Sequence, residues 1–516
     1  MRQARAPAAA VALIIITAAI AAGLLPVLLI GVGEGFSTGL FDAYLYRVVV
    51  FTLLQAGLST LLSVVLALPV ARALARRDFP GRGVILRLFA LPLALPAIVV
   101  ILGVVEVYGR NGWLAAMTGW PLDIYGLSGI LIAHVFFNLP LAARLLLLQL
   151  DDIAPESWRL SAQLGFGERE SFRFVEWPVL RQALPGIASL IFLLCAASFA
   201  VVLTLGGGPQ ATTLEVAIYQ ALRFDYDPAR ATVLALLQLL VCAGLIGFAA
   251  STAGAAQGWP ALRRGVRPPA PGGIARAFDG VAILFAAGFV AIPILAIAVS
   301  GVMAHFDWEA IASAAFTSVL IAAGGMIASI ALAWPLAQAM ARNKNKEVRA
   351  AMQFTSLLPL IVPPAVLATG WFIIALRAGM AFSLAPILVI AMNALMALPF
   401  ALGTLATSVE RVVRENDRLC ASLGVRGLAR LELIDLPLLK RPVGLAAAMA
   451  FVLSLGDLTA IMLFGSQNLT TLPALIYAQM GSYRLDDAAG SALALAVFSM
   501  VFITLIDLQG ARRDHA

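Results

Sequence analysis

The sequence predicts an all-α polytopic membrane protein, with twelve transmembrane helices arranged as two parallel six-helix repeats. Three observations carry that prediction. Of 516 residues, 61% are hydrophobic and 12% charged, and the mean hydropathy is +0.95; a soluble chain of this length needs more charge on its surface. The apolar residues gather in runs of about 20, the length that crosses a bilayer core as a helix. Motifs of the first half also return in the second at a nearly constant displacement.

The first run extends from Ala8 to about Gly31, behind Arg2 and Arg5. It is longer than the ~7–15-residue apolar region of a secretory signal and reads as an uncleaved span. Spans two to six are expected near 48–70, 88–107, 127–149, 184–205 and 231–254. A second set is expected near 279–303, 314–340, 354–376, 383–407, 443–464 and 489–508. Pro92, Pro96, Pro363 and Pro364 fall inside these runs. Membrane helices tolerate such breakers where neighbours or water satisfy the freed backbone groups.

The formal charge is +7, but the basic residues sit in small groups between apolar runs. Nucleic-acid binding would need them in one groove or on one face, with aromatics beside them. With the N-terminus in the cytoplasm, 29 of the 35 Lys and Arg residues fall on that side; Arg47, Arg110, Arg223, Arg230, Arg377 and Arg484 fall on the other. This positive-inside bias predicts cytoplasmic N- and C-termini. Cys195, Cys242 and Cys420, and His134, His305 and His515, are scattered without metal or redox spacing, so no metal site is expected. The longest cytoplasmic connections, 150–183 and 408–442, are too short for a catalytic domain. Three regions are expected: a first six-span half at 1–255, a linker at 256–276 (AQGWPALRRGVRPPAPGGIAR) and a second half at 277–516.

Arg159, Leu160, Ala162, Leu164 and Gly165 reappear 259 residues later as Arg418, Leu419, Ala421, Leu423 and Gly424. Pro178 returns as Pro437, and Leu139-Pro140 as Leu398-Pro399, at the same displacement. Thr212-Thr213-Leu214 returns 258 residues on as Thr470-Thr471-Leu472, and Ile218-Tyr219 as Ile476-Tyr477. Six spans is an even number, so both halves have the same orientation and can enclose a path about an axis along the membrane normal.

The duplicated cytoplasmic segment has a polar start and then a short helix with small residues at Ser161, Ala162, Cys420 and Ala421. Gly165 and Gly424 allow a sharp exit. Phe172, Phe174, Leu431 and Leu433 can anchor the stretch after the glycine, and Pro178 and Pro437 are expected to break helix continuity before the next span. An amphipathic loop drawn to acidic lipid accounts for one such segment. Two equivalent copies point instead to a pair of docking surfaces.

At these residues the sequence resembles the EAA loop of bacterial ABC importer permeases: Glu-Ala-Ala, three residues, Gly, nine residues, then I-x-L-P. The second copy has Gly424, Ile434, Leu436 and Pro437; the first has Gly165, Val175, Trp177 and Pro178. Arg159-Leu160-Ser161 and Arg418-Leu419-Cys420 stand where that pattern has Glu-Ala-Ala, so coupling through the leading Glu does not carry over. WRLSAQLGF, FRFVEWP, TTLEVAIYQALRFDYDPARA and SLGDLTA look most like fused, two-half permeases of thiamine and thiamine-pyrophosphate importers. Fused ferric-iron permeases share much of the architecture.

The resemblance implies a type I ABC importer permease fold in the bacterial inner membrane. It implies two copies of a cytoplasmic ATPase docked on the paired loops and one periplasmic solute-binding protein. ATPase coupling would then fall to Arg159, Ser161, Ala162, Gly165, Pro178, Arg418, Cys420, Ala421, Gly424 and Pro437. The chain has no P-loop GxxxxGK[ST]. It is therefore read as a transport subunit and not an enzyme, with ATP and Mg bound by the partner. An ion-coupled secondary transporter is the main alternative class, since parallel repeats occur there too.

Asp457 is the acidic residue read deepest inside a span, and the repeat places Ser198 opposite it. Both are candidates for the translocation path or a gate, against a cap-like role near an unwound region. On the outer side, Tyr219, Asp225, Asp227, Tyr477, Asp486 and Asp487 are candidates for docking the binding protein, with interfacial anchoring the simpler role for the aromatics.

Overall fold

The computed structural model describes residues 6–33, 42–252, 272–304, 306–381, 383–425, 427–465 and 469–511. Residues 256–271 of the expected linker, His305 and His515 lie outside them. The described residues are helical, without strands. The first half contains α1 (Ala6–Gly33), α2 (Ala43–Arg76), α3 (Arg82–Leu88), α4 (Leu91–Ala94), α5 (Ala97–Tyr108), α6 (Trp113–Thr118) and α7 (Leu127–Asp151). It continues with α8 (Pro155–Gln163), α9 (Glu168–Ser171), α10 (Trp177–Ala196), α11 (Phe199–Leu205), α12 (Leu214–Arg223) and α13 (Pro228–Thr252). The second half contains α14 (Ile274–Met303), α15 (Trp308–Arg342), α16 (Lys346–Ile361), α17 (Pro364–Arg377) and α18 (Ala385–Ser422). It ends with α19 (Gly427–Arg430), α20 (Leu436–Leu455), α21 (Thr459–Phe464), α22 (Leu472–Gly481) and α23 (Leu485–Ala511).

Among the described residues, eleven helical stretches are long and apolar enough to cross a membrane. The pair α16 and α17, bent by 85°, makes a twelfth. That bend and the break between α4 and α5 have one cause. Pro96 and Pro363 force the residue before them out of the helical region, and Leu95 (φ −91°, ψ 139°) and Val362 (φ −89°, ψ 115°) are extended. The spans expected at 184–205 and 443–464 start earlier, at Trp177 and Leu436, and are interrupted between α10 and α11 and between α20 and α21.

The breaks expected at Pro178 and Pro437 do not occur. Each proline sits at the second position of a helix that runs on from a five-residue π turn, Phe172–Glu176 or Leu431–Asp435. The Trp177 N–H reaches back to the Phe172 carbonyl and the Leu436 N–H to the Leu431 carbonyl. A proline lacks the N–H and crowds the carbonyl four residues back, so a turn one residue wider lets the helix pass through it.

The repeat extends to fine detail. Asp42 caps α2 through the Leu45 N–H, and Asp307 caps α15 through the Ala310 N–H. The Leu214 N–H donates to Thr52 Oγ1 at 3.0 Å and the Leu472 N–H to Ser318 Oγ at 2.7 Å, so a hydroxyl from a neighbouring helix holds the start of both α12 and α22. Tyr226 and Tyr483 both have positive φ, 52° and 60°. The clearest departure is at Pro155, which separates α8 from α7; Arg414 occupies the equivalent place and α18 runs unbroken to Ser422.

The first helix of each half packs on the other half. α1 lies against α15, α16 and α17, while α14 lies against α2, α5 and α7. Trp371 Nε1 donates to the Ala19 carbonyl at 2.9 Å, Ser300 Oγ to Glu106 Oε2 at 3.2 Å, and Arg77 pairs with Asp279 at 2.7 Å. Glycines permit the approach: a Cβ on Gly370 would overlap the Gly23 carbonyl oxygen, and one on Gly103 would lie 2.6 Å from that of Pro293. Within the halves, buried polar pairs hold the helices in place. Ser59 Oγ meets His134 Nδ1 at 3.0 Å in the first, and Asn393 Nδ2 donates to Ser454 Oγ at 2.8 Å in the second.

Candidate functional site

Both copies of the cytoplasmic segment end their helix in the same way. Phe166 N–H returns to the Ser161 carbonyl and Val425 N–H to the Cys420 carbonyl, each at 3.0 Å, around Gly165 (φ 67°) and Gly424 (φ 69°). This is a Schellman closure, and its left-handed residue favours glycine. The closure divides the expected coupling residues into two faces. Ser161 and Cys420 are buried, Ser161 Oγ lying 3.2 Å from Ser171 Oγ. Arg159, Ala162, Arg418 and Ala421 are exposed. Leu160 and Leu164, and their equivalents Leu419 and Leu423, are each more than half exposed. Two leucines four residues apart on a helix form a compact apolar patch. A cavity of about 610 Å³ opens beside the first copy, lined by Leu160, Ser161, Leu164, Phe166, Phe174 and Pro178.

Behind the patch lies a pair of buried acids that the loop motif does not include. Glu176, in the first π turn, is buried between Arg72 (2.5 Å) and Arg76 (3.0 Å); Arg76 also pairs with Glu168 (2.6 Å), and Arg72 lies 4.2 Å over the Phe172 ring. In the second half the equivalent acid, Asp435, is buried against Arg430 at 3.2 Å, and Arg430 reaches Asp417 at 2.6 Å. Burial works against the Arg430 charge, but Asp417 and Asp435 outweigh it and raise its pKa. The sequence carries a signal for this pair, since Glu176 and Asp435 are separated by the same 259 residues as the prolines two positions on. Motif spacing alone directs attention to the prolines and passes over the acids.

Asp457 and Ser198 occupy equal positions at the two helix interruptions. The Asp457 carboxylate accepts the Thr459 N–H at 3.2 Å and the Ala460 N–H at 2.9 Å, so it caps α21, the cap-like role that the sequence left open. Ser198 stands at the N-cap of α11 without a side-chain cap bond.

The outer candidates divide. Asp225 and Asp486 are exposed. Asp227 accepts the Arg230 N–H at 2.9 Å, and Asp487 pairs with Arg484 at 2.6 Å. Tyr219 is not on the outer surface. It is buried, edge-on to Phe199 at 5.4 Å and to Phe224 at 5.6 Å, because the apolar face of amphipathic α12 folds into the seam between the halves. Tyr477 is half-buried and lines the same cavity as Tyr219. Glu215, which fell between expected spans, is fully buried on α12.

The chain is 46% identical over 502 residues to the thiamine transport system permease protein ThiP of Brucella abortus (strain 2308), covering 94% of this chain and 91% of that protein. It is 44% identical over 483 residues to the protein of the same name from Escherichia coli (strain K12), covering 90% and 89%. The chain belongs to the thiamine transport system permease family. That membership agrees with the resemblance carried by the paired loops and with an all-α, multi-pass architecture. A more distant match, 31% identical over 153 residues, joins 29% of the chain to 55% of the sulfate transport system permease protein CysW of Synechocystis sp. (strain ATCC 27184 / PCC 6803 / Kazusa). No family model matches.

Proposed function

We propose that this chain is the membrane-spanning permease subunit of an ATP-driven importer for thiamine and its phosphate esters. Two copies of a cytoplasmic ATPase dock on α8 and on the end of α18, and one periplasmic binding protein delivers the solute. The chain lies in the inner membrane with both termini in the cytoplasm. The observation that carries this reading is the pair of glycine-closed helix ends, each with two exposed leucines outside and an arginine–carboxylate pair behind. Two equivalent patches on one chain suit two copies of one partner.

ATP and Mg belong to that partner, because this sequence lacks a phosphate-binding loop. As the ATPases close, they push on the segments near 157–166 and 416–425. Glu176 and Asp435 connect each segment to its half through Arg72, Arg76 and Arg430, and the halves tilt about the path between them. Hydrolysis and product release reset the arrangement. Mild extraction of the tagged chain followed by intact-complex mass measurement tests this, with one permease and two P-loop ATPases expected. A chain that remains alone after crosslinking overturns it.

A further inference from the structure

Resting on the importer reading above, we propose that the chain carries its own binding site for a cationic heteroaromatic solute, at the seam between the halves, framed by Tyr219, Tyr477 and Phe224. The site is built from α12. Its first N–H is held by Thr52 of α2, which fixes the helix in place and turns Tyr219 inward. A cavity of about 210 Å³ lies there, lined by Thr212, Val216, Tyr219, Gln220 and Phe224 from the first half and by Tyr477 from the second. Tyr219 and Tyr477 hold the same place in the two repeats, 258 residues apart. The cavity therefore lies where the halves meet in equivalent positions, and a bound solute would feel any tilt between them.

The cluster of aromatic rings selects a cation, because ring faces attract positive charge. Glu215, one turn before Tyr219, is fully buried and does not line the cavity; its carboxyl group lies towards Ala365 in the first turn of α17. Gln220, whose Oε1 accepts from the Tyr44 hydroxyl, keeps its Nε2 to donate to a ring nitrogen. Arg223, one turn further, is tied across the seam, with Nη2 donating to the Gly465 carbonyl at 3.0 Å.

The test uses the complete importer in liposomes and follows thiamine uptake together with basal ATP hydrolysis. Tyr219→Leu and Tyr477→Leu should each weaken apparent thiamine affinity by roughly fivefold to thirtyfold, whereas Tyr219→Phe and Tyr477→Phe stay within about threefold. Direct binding to the permease–ATPase complex without the binding protein gives a second readout that needs no variant. There, an analogue with an uncharged thiophene in place of the thiazolium should bind at least about tenfold more weakly than thiamine. Equal effects of Leu and Phe, or equal affinity for the neutral analogue, overturn the site while normal wild-type uptake leaves the importer reading standing. A wild-type complex that moves no thiamine overturns both.

Discussion

Gly165 and Gly424 have positive φ in the loops that close α8 and α18. A side chain there costs about 1–2 kcal/mol in backbone strain, and at both positions a Cβ meets no atom within 4 Å. The strain should therefore appear as distortion of the docking patch and not as a core defect. Gly165→Val and Gly424→Val are expected to insert normally but to lose ATPase association and solute-stimulated turnover; normal values for both would remove the coupling role. Asp457 gives the opposite expectation. Its carboxylate is committed to two backbone N–H groups, so Asp457→Asn should lower thermal stability by about 1 kcal/mol or less with thiamine affinity unchanged at matched abundance. A changed affinity without a stability loss would make it a gate. At this scale the sequence showed which residues repeat but not which way they face. Ser161 and Arg159 are two positions apart, and only the packing of α8 sends one inward and the other to solvent.

The two acids that hold the first coupling segment differ in burial. The Glu176 side chain is 3% exposed between two arginines, and that of Glu168 is 43% exposed. Breaking a buried ion pair strands its partner and costs about 3–5 kcal/mol, whereas an exposed pair contributes about 1 kcal/mol or less. Glu176→Gln is therefore expected to abolish most solute-stimulated ATP hydrolysis while the exposed leucines still recruit ATPase; Glu168→Gln should remain near wild type. Pull-down and turnover on the same preparations separate the two, and equal behaviour would remove Glu176 from the transmission path. Element breaks were partly legible. Pro96, Pro155 and Pro363 end helices as local backbone rules require. Pro178 and Pro437 do not, because a π turn depends on the backbone register and on the buried acid anchored beside it, neither of which hydropathy reveals.

Hydropathy and the repeat made twelve spans and two equivalent halves readable, because bilayer thickness fixes the length of a crossing helix. Neither could show that α1 and α14 trade places. Their apolar faces fit lipid or any helix equally well, and the partner is chosen by close contacts such as Gly370 on Gly23 and Trp371 on the Ala19 carbonyl. Because of the exchange, each half leaves uncovered the surface that the other half's first helix should fill, so the halves depend on each other even without a covalent connection. Residues 1–255 and 277–516 produced as separate chains are expected to copurify and to restore uptake together, and each alone should be degraded or aggregate. Gly370→Leu places a side chain where even a Cβ would overlap the Gly23 carbonyl oxygen. It should therefore abolish copurification of the separated halves while only weakening the fused chain, because the linker holds the local concentration of the two surfaces high. Stable, monodisperse 277–516 in the absence of the first half would show that α1 is not needed to complete the second.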